Sequence, residues 1–180
     1  MARGPDPAVP ANDWISMFNT EILALAEKVL DLARSQGQMI ATAESCTGGL
    51  IAGALTEIAG SSDVVDRGFI TYSNEAKNQM LDVSSESLAR FGAVSEAVAK
   101  EMAYGAIAAS RADVSVAVTG IAGPGGGSAE KPVGLVCFGL CRIGESPIAQ
   151  SIQFGDIGRS DVRRRTVLTA LEMLHDALST

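Results

Sequence analysis

The chain of 180 residues is long enough for one domain with a single core, and its 47% hydrophobic and 19% charged residues are typical of a folded rather than a disordered protein. The formal net charge of -7 and the aromatic content of 4% argue against a polynucleotide-binding surface, because such surfaces need cations for the phosphates and aromatic rings for the bases. We therefore expect a small-molecule ligand and no nucleic-acid partner.

Residues 1–17 are predicted to form a flexible N-terminal tail, and residues 18–180 a single domain. Apolar spacing predicts six helices and five strands in the order α-β-α-β-α-α-α-β-β-β-α. The fold class is therefore α/β. We expect a three-layer α/β/α domain with a mixed, mostly parallel sheet of about five strands.

The predicted elements differ in how sharply the sequence bounds them. Caps and glycines mark the helix ends, whereas the strand ends follow only from the end of an apolar run. The main predicted bounds are a first helix from Asn19 or Thr20 to Gly37, strands Val64–Tyr72, Val114–Thr119, Val133–Cys141 and Ile148–Phe154, helices capped by Ser84 and Ser95, and a last helix from Ser160 or Asp161.

The segment Met39–Gly49, MIATAESCTGG, joins a short apolar run to a helical pattern that starts at Leu50. The run predicts a strand and the pattern predicts a helix. The turn between them carries three hydroxyl or thiol side chains, those of Ser45, Cys46 and Thr47. Unpaired backbone N–H groups in such a turn stabilise anions and developing oxyanions. We interpret this turn as the floor of an active site.

Glycines stand at two places where a ligand is expected to approach the backbone. Gly48 and Gly49 are expected in the first turn of the helix, where a missing Cβ leaves room for a ligand or another backbone. The segment Thr119–Ser128 contains five glycines, and its backbone can cradle a phosphate or act as a mobile lid. Arg159 and Arg163, one helical turn apart, either bind a phosphate or lie on a solvated helix face.

A nucleophile in the turn needs a base. His175, the single histidine, lies at the edge of the apolar stripe of the last helix and is interpreted as structural. Lys77 follows the predicted second strand, at the sheet edge where ligands of α/β proteins gather. A lysine with the ordinary pKa of ~10.4 is protonated at neutral pH, so Lys77 needs burial or a cationic neighbour to act as a base. From sequence alone, an exposed surface lysine is an equal alternative.

Three cysteines, Cys46, Cys137 and Cys141, form no C-x-x-C pair and indicate neither a disulfide framework nor a zinc site. No apolar run reaches the length of a membrane span, and the first residues lack the apolar core of a signal peptide. We therefore expect a cytoplasmic protein with no membrane partner, no metal and no cofactor.

Four motifs in order resemble the C-terminal domain of the CinA family, the nicotinamide mononucleotide deamidases or nicotinamide-nucleotide amidohydrolases. They are AESCTGG at 43–49, YSNEAK at 72–77, GAVS at 92–95 and TGIAGPGG at 119–126. The resemblance covers about Glu21 to Leu178, which indicates the stand-alone form of a domain that many relatives carry behind a larger N-terminal one.

This resemblance implies hydrolysis of the carboxamide of nicotinamide mononucleotide, with release of ammonia, as a step of pyridine-nucleotide recycling. Ser45 would be the nucleophile and Lys77 its base, with Tyr72 nearby to orient or share the proton. The family often reads G-D-R before the last helix, whereas this chain has GDIGR at 155–159. The implied substrate contacts are Cys46, Thr47, Gly48, Gly49, Asn74, Thr119, Gly120, Gly123, Pro124, Gly125 and Arg159.

Two other functions fit the same motifs. A nucleotide-binding module would use the Ser45 turn and the glycine loop without chemistry. A cysteine hydrolase would use Cys46 as its nucleophile. For the amidohydrolase we expect a small-molecule nucleotide substrate and a homodimer, since a symmetric dimer is the commonest assembly of such domains.

Overall fold

The computed structural model describes residues 18–180, so the tail predicted for residues 1–17 lies outside the described residues. The elements follow the predicted order, with one added 3-10 turn at Ser61–Asp63. They are α1 (Thr20–Gln36), β1 (Ile40–Glu44), α2 (Leu50–Thr56), β2 (Val65–Ile70), α3 (Asn74–Leu81), α4 (Ser85–Phe91), α5 (Glu96–Ala108), β3 (Val114–Gly120), β4 (Leu135–Arg142), β5 (Ile148–Gln153) and α6 (Arg159–Leu178).

The five strands form one mixed sheet in the order β2-β1-β3-β4-β5. β1 pairs in parallel with both β2 and β3, while β4 pairs antiparallel with β3 and β5, so β4 alone opposes the other four strands. Glu44 at the end of β1 is aligned with Ile70 of β2 and with Val118 of β3. The segments that follow β1, β2 and β3 therefore meet at one edge of the sheet, as expected for parallel strands.

Helices cover both faces of the sheet, which confirms the predicted three-layer domain. α1, α2 and α6 bury one face in a cluster that includes Leu30, Phe138 and Leu171. α5 buries the other face together with side chains from α3 and the segment after it. No helix of residues 18–180 is long and apolar enough to cross a lipid bilayer.

The small residues of α5 allow the close packing that its sequence predicts. Ala99, Ala103 and Ala106 are fully buried, whereas Ala109 caps the helix and is exposed. A Cβ on Gly105 would overlap the backbone carbonyl of Leu81, at the end of α3. The end of α3 therefore lies against the backbone of α5, which fixes the position of α3 relative to α5.

Some predicted bounds were wrong by one to two residues, for local reasons. β2 ends at Ile70 instead of Tyr72, because its partner strand β1 ends at Glu44, which is aligned with Ile70. α6 begins at Arg159 rather than Ser160, since Gly158 with φ +91° ends the preceding turn. β4 begins at Leu135 instead of Val133, because the Leu135 N–H donates to the Pro132 carbonyl and closes a turn before the strand.

We predict that Gly105→Ala destabilises the protein by about 1–3 kcal/mol, because the added methyl group forces α3 away from α5. In an uncrowded helix the same change would stabilise by up to about 1 kcal/mol. Urea unfolding measures the difference. Gly125→Ala, where no atom lies within 4 Å of the added Cβ, is the control and should leave the midpoint almost unchanged. A neutral or stabilising Gly105→Ala would contradict the close packing.

Candidate active site

The turn after β1 presents Ser45 at the sheet edge. The Ser45 N–H donates to the Val118 carbonyl at 3.1 Å, and its own carbonyl accepts from the Gly48 N–H at 3.1 Å. These two bonds fix the backbone on both sides of the Ser45 side chain, which is partly exposed. The residue therefore occupies the place predicted for the nucleophile, on a backbone held by the sheet.

The backbone conformation gives a second reason for the two glycines of this turn, beside the expected approach of a ligand. Gly48 and Gly49 precede α2 rather than opening it, and their φ angles are +60° and +101°. A Cβ built on Gly48 would lie 3.8 Å from Arg163 Nη2, whereas one built on Gly49 would lie 3.1 Å from Ile70 Cδ1. The left-handed backbone requires glycine at both positions, since it strains any residue with a Cβ.

A buried carboxylate caps α2 in place of a conventional N-cap side chain. Glu44 is fully buried, and Gly49, the N-cap residue, has no side chain to offer. Five donors reach the Glu44 carboxylate: Thr42 Oγ1 at 3.3 Å, Thr47 Oγ1 at 2.6 Å, and the N–H groups of Gly49 at 3.0 Å, Ile51 at 3.0 Å and Ala52 at 2.9 Å. These bonds satisfy the unpaired N–H groups of the helix start and offset the cost of burying a charge.

Glu44 was not among the residues selected from the sequence. In the sequence, Glu44 is the single charged residue among the apolar and small residues of β1, and it stands directly before the turn. A charge that ends a fully buried strand needs several donors, and a helix start one turn away supplies them.

Lys77 and Ser45, the predicted base and nucleophile, lie in hydrogen-bond contact. Lys77 Nζ is 3.0 Å from Ser45 Oγ and donates to the Thr71 carbonyl at 2.7 Å. The residue is 1% exposed, so the structure decides against the surface-lysine alternative. Burial lowers the pKa of Lys77, and the neighbouring Cys46 thiol opposes this in part. A lysine with a lowered pKa supplies the neutral amine that a general base needs.

Local structure brings Lys77 to this position. Ser73 is the N-cap of α3, and its Oγ accepts from the Ala76 N–H at 3.0 Å. Only two residues, Thr71 and Tyr72, separate β2 from this cap. The short connection starts α3 at the sheet edge, so its first turn carries Lys77 over the end of β1.

The other candidate nucleophiles are occupied or inert. Burial, with a smaller contribution from the Glu44 carboxylate, raises the pKa of the Cys46 thiol to about 12. A buried thiol with so high a pKa is a poor nucleophile, which argues against the cysteine-hydrolase alternative. The Thr47 hydroxyl donates to Glu44. His175 lies three turns along α6 from Arg163, about 18 Å at 1.5 Å per residue, so it is not the base.

Two backbone N–H groups of the turn remain open. Within residues 18–180, those of Cys46 and Thr47 donate to no backbone or side-chain oxygen, whereas the Gly48 N–H donates to Ser45 and the Gly49 N–H to Glu44. Of the N–H groups expected to receive an oxyanion, Cys46 and Thr47 are therefore the available pair.

Arg159 connects the glycine-rich loop to Tyr72. Its guanidinium donates to the Gly123 carbonyl at 3.0 Å and to the Tyr72 hydroxyl oxygen at 2.9 Å. Tyr72 is 61% exposed, and this bond joins it to Arg159 rather than to Lys77 or Ser45. One turn along α6, Arg163 Nη2 donates to the Thr47 carbonyl at 3.0 Å, so this side chain holds the turn after β1 instead of facing solvent.

The remaining predicted ligand residues line the same edge. Thr119 is buried, and its hydroxyl donates to the Ala93 carbonyl at 2.9 Å, which ties the end of β3 to the segment before α5. Asn74 is exposed at the first residue of α3. In the glycine loop, Gly120 is half-buried and Gly123 buried, whereas Pro124 and Gly125 are exposed. No three His, Cys, Asp or Glu side chains of residues 18–180 lie together as a metal site.

Comparison with known proteins identifies the family. The model of the CinA C-terminal domain matches residues 22–178. The chain belongs to the CinA C-terminal domain family. It is 50% identical over 159 residues to nicotinamide-nucleotide amidohydrolase PncC of Escherichia coli strain K12, a match that covers 88% of this chain and 95% of that protein. The recognition made from the four motifs is confirmed.

Two further relatives differ in length. A CinA-like protein of Mycolicibacterium vanbaalenii is 44% identical over 163 residues, and the match covers 91% of this chain but 38% of that protein. The crystal structure of competence/damage inducible protein CihA from Agrobacterium tumefaciens is 57% identical, with a TM-score of 0.89, and the match covers 92% of this chain and all of that one. The same fold therefore occurs both in short relatives and as part of longer ones.

We predict that Glu44→Gln destabilises the protein by about 2 kcal/mol or more, because an amide replaces one acceptor oxygen by a donor that faces Thr42 or the N–H groups of α2. Urea unfolding measures the loss. Glu57→Gln, at the exposed other end of α2, is the matched control and should change stability by less than about 0.5 kcal/mol. Equal effects of the two substitutions would contradict the capping role of Glu44.

Proposed function

We propose that this chain hydrolyses the carboxamide of nicotinamide mononucleotide to nicotinate mononucleotide and ammonia, with Ser45 as nucleophile and Lys77 as base. Identity of 50% over most of both chains makes it an amidohydrolase. The substrate is taken from the name of the PncC relatives. The observation that supports the mechanism is the 3.0 Å contact between a buried lysine amine and a serine hydroxyl.

In this mechanism Lys77 takes the proton of Ser45 as Oγ attacks the carboxamide carbon. The C–N bond then breaks, and Lys77 returns a proton to the leaving nitrogen, which departs as ammonia. Water attacks the acyl-serine ester with Lys77 again as base, and the ester bond breaks to release the carboxylate and restore Ser45. The N–H groups of Cys46 and Thr47 would bind the oxyanion in both steps.

The mononucleotide phosphate needs cations, and the arginines of α6 are the nearest candidates. Arg159 has two guanidinium donors engaged by the Gly123 carbonyl and the Tyr72 hydroxyl, and it is exposed. A phosphate binds arginine more strongly than a neutral oxygen does, so it would replace one of these bonds. We therefore assign the phosphate to Arg159 and the glycine loop, with Tyr72 and Asn74 at the rim of the same site.

We predict that Ser45→Ala and Lys77→Ala each lower kcat for ammonia release by about 100-fold or more, because each removes a group that reacts or transfers a proton. The assay follows ammonia released from nicotinamide mononucleotide in excess chelator. Lys100→Ala, which changes an exposed lysine of α5, is the control and should keep the rate.

The same variants separate the binding-module alternative. A protein that only binds the nucleotide would release no ammonia, and Lys77→Ala would leave its affinity nearly unchanged. If wild type binds nicotinamide mononucleotide without turnover, the amidohydrolase mechanism is wrong and Ser45 is a ligand contact.

We predict that kcat/KM rises with pH and levels off at a pH below the ordinary lysine pKa of ~10.4. The reason is that burial lowers the pKa of Lys77 in the free enzyme, so the reactive neutral amine appears at a lower pH than in a free lysine. Initial rates at low substrate across the pH range give the profile. A rate that falls with pH over this range would contradict Lys77 as the base.

Two other expectations remain proposals. The three cysteines are free and buried, which is compatible with a reducing compartment such as the cytoplasm. A homodimer is proposed from the frequency of such assemblies, and size-exclusion chromatography with light scattering tests it.

A further inference from the structure

Thr71 has a buried hydroxyl without a partner, directly beside the base. The residue is fully buried between β2 and α3. Its backbone is fully engaged, with the N–H donating to the Glu44 carbonyl at 2.8 Å and the carbonyl accepting from Lys77 Nζ at 2.7 Å. Its Oγ1 has no hydrogen-bond partner among the residues that the structure describes. A buried hydroxyl left unpaired costs about 1–3 kcal/mol, so valine would serve better if the position only filled space.

Lys77 lacks an acceptor that its protonated form requires. A neutral lysine amine has two N–H groups, and the ammonium has three. Two acceptors contact Nζ, namely Ser45 Oγ and the Thr71 carbonyl. Before the transfer, the neutral amine accepts the Ser45 O–H through its lone pair. After it, the ammonium has three N–H groups and only two acceptors, Ser45 Oγ and the Thr71 carbonyl, and a buried ammonium with an unpaired N–H is unfavourable.

The direction of the strand places the Thr71 side chain on the side of the sheet where Lys77 lies. Side chains alternate between faces along a strand, so Thr71 continues the face of Phe69. Phe69 packs in the cluster that holds Leu81 of α3, whereas Ile70 is exposed. The Thr71 hydroxyl is therefore on the α3 side of the sheet, and the carbonyl of the same residue already contacts Lys77 Nζ.

We propose that the Thr71 hydroxyl is the third hydrogen-bond acceptor of the Lys77 ammonium and so positions the base in its protonated state. The proposal deepens the proposed function, on which it rests, by adding a positioning residue to the Ser45–Lys77 pair. Threonine Oγ1 both donates and accepts, so it can pair with the lysine nitrogen in either protonation state. It stabilises the charged state more, because hydrogen bonds to an ionised group are the stronger ones.

No nearby carboxylate takes this role. Among residues 18–180 no acidic side chain forms an ion pair with Lys77. On α5, which packs on α3, Glu101 is engaged by Ser84 and Ser87, Glu96 accepts from Ser151, and Lys100 is exposed. In the turn after β1, the Cys46 thiol raises the pKa of Lys77. The pKa of Cys46 is in turn raised by Glu44 and lowered by Arg163. Glu75, on α3 itself, is exposed.

The test measures the protonation of Lys77 directly, with Thr71→Val and Thr71→Ser as a matched pair. Valine keeps the branched shape and removes the hydroxyl, whereas serine keeps the hydroxyl. The chain has four lysines, so carbon-13 labelling at lysine Cε gives four NMR signals, and Lys77→Arg identifies the one that belongs to Lys77. Thr71→Ala takes the place of Thr71→Val if the valine variant does not fold.

We expect the Lys77 pKa in Thr71→Val to fall by about one pH unit, a tenfold change in proton affinity, and in Thr71→Ser to stay near the wild-type value. An unchanged value in Thr71→Val overturns the proposal, because the hydroxyl then makes no contact with the ammonium. A raised value also overturns it, since the hydroxyl would then be a donor to the neutral amine.

The activity profile gives a second readout that a space-filling role would not change. In Thr71→Val the acidic limb of kcat/KM should move to lower pH by the same interval, while a packing defect would lower the rate at every pH without moving the limb. The NMR titration needs no turnover. If wild type released no ammonia, the proposed function would be wrong. The titration would still decide whether the Thr71 hydroxyl contacts the Lys77 ammonium.

Discussion

The parallel pairing of β1 with β2 is the constraint on which the site depends. It brings the ends of two strands to one edge, so that Ser45 after β1 and Lys77 after β2 meet although 32 positions separate them in the chain. The Thr71 N–H closes the pair by donating to the Glu44 carbonyl, beyond the last residue of β2. A shift of the register by one residue would turn the side chains of this edge to the opposite face and break the contact.

Two charged side chains are buried at this edge, and the protein accommodates them in different ways. Glu44 accepts five hydrogen bonds, three of them from the backbone at the start of α2, and these hold the turn in one conformation. Lys77 has two acceptors and no ion pair among the described residues, and burial lowers its pKa. The first arrangement stabilises a structure, whereas the second keeps a group ready to exchange a proton.

Packing at a distance supports the same geometry. Gly105 allows α3 to lie against the backbone of α5, and this contact fixes the helix that carries Lys77. From the other face, Arg163 of α6 holds the Thr47 carbonyl, and Arg159 holds the glycine loop near Tyr72. Helices of both layers therefore determine where the nucleophile turn and the loops of the proposed phosphate site lie.

The sequence was sufficient for the features that local pattern determines. The element order, the N-caps at Asn19, Ser84 and Ser95 and the strand–turn–helix around Ser45 follow from periodicity and capping residues. The motifs identified Lys77 as the candidate base. Periodicity alone did not decide whether its side chain is buried or exposed. The capping by Glu44, the orphan hydroxyl of Thr71 and the contact of Arg163 with Thr47 depend on which residues meet across the fold. The left-handed φ angles of Gly48 and Gly49 were likewise not predicted, because a glycine in the sequence does not show which backbone conformation it adopts.

The most direct test of the account is the reaction of the protein with phenylmethylsulfonyl fluoride, followed by peptide mass spectrometry of wild type and Lys77→Ala. A serine activated by a neutral amine reacts with this reagent, whereas an ordinary serine does not. We predict one adduct on Ser45 in wild type, and its loss in Lys77→Ala. Equal labelling of Ser45 in both proteins, or an adduct on Cys46 in its place, would contradict a nucleophile activated by Lys77.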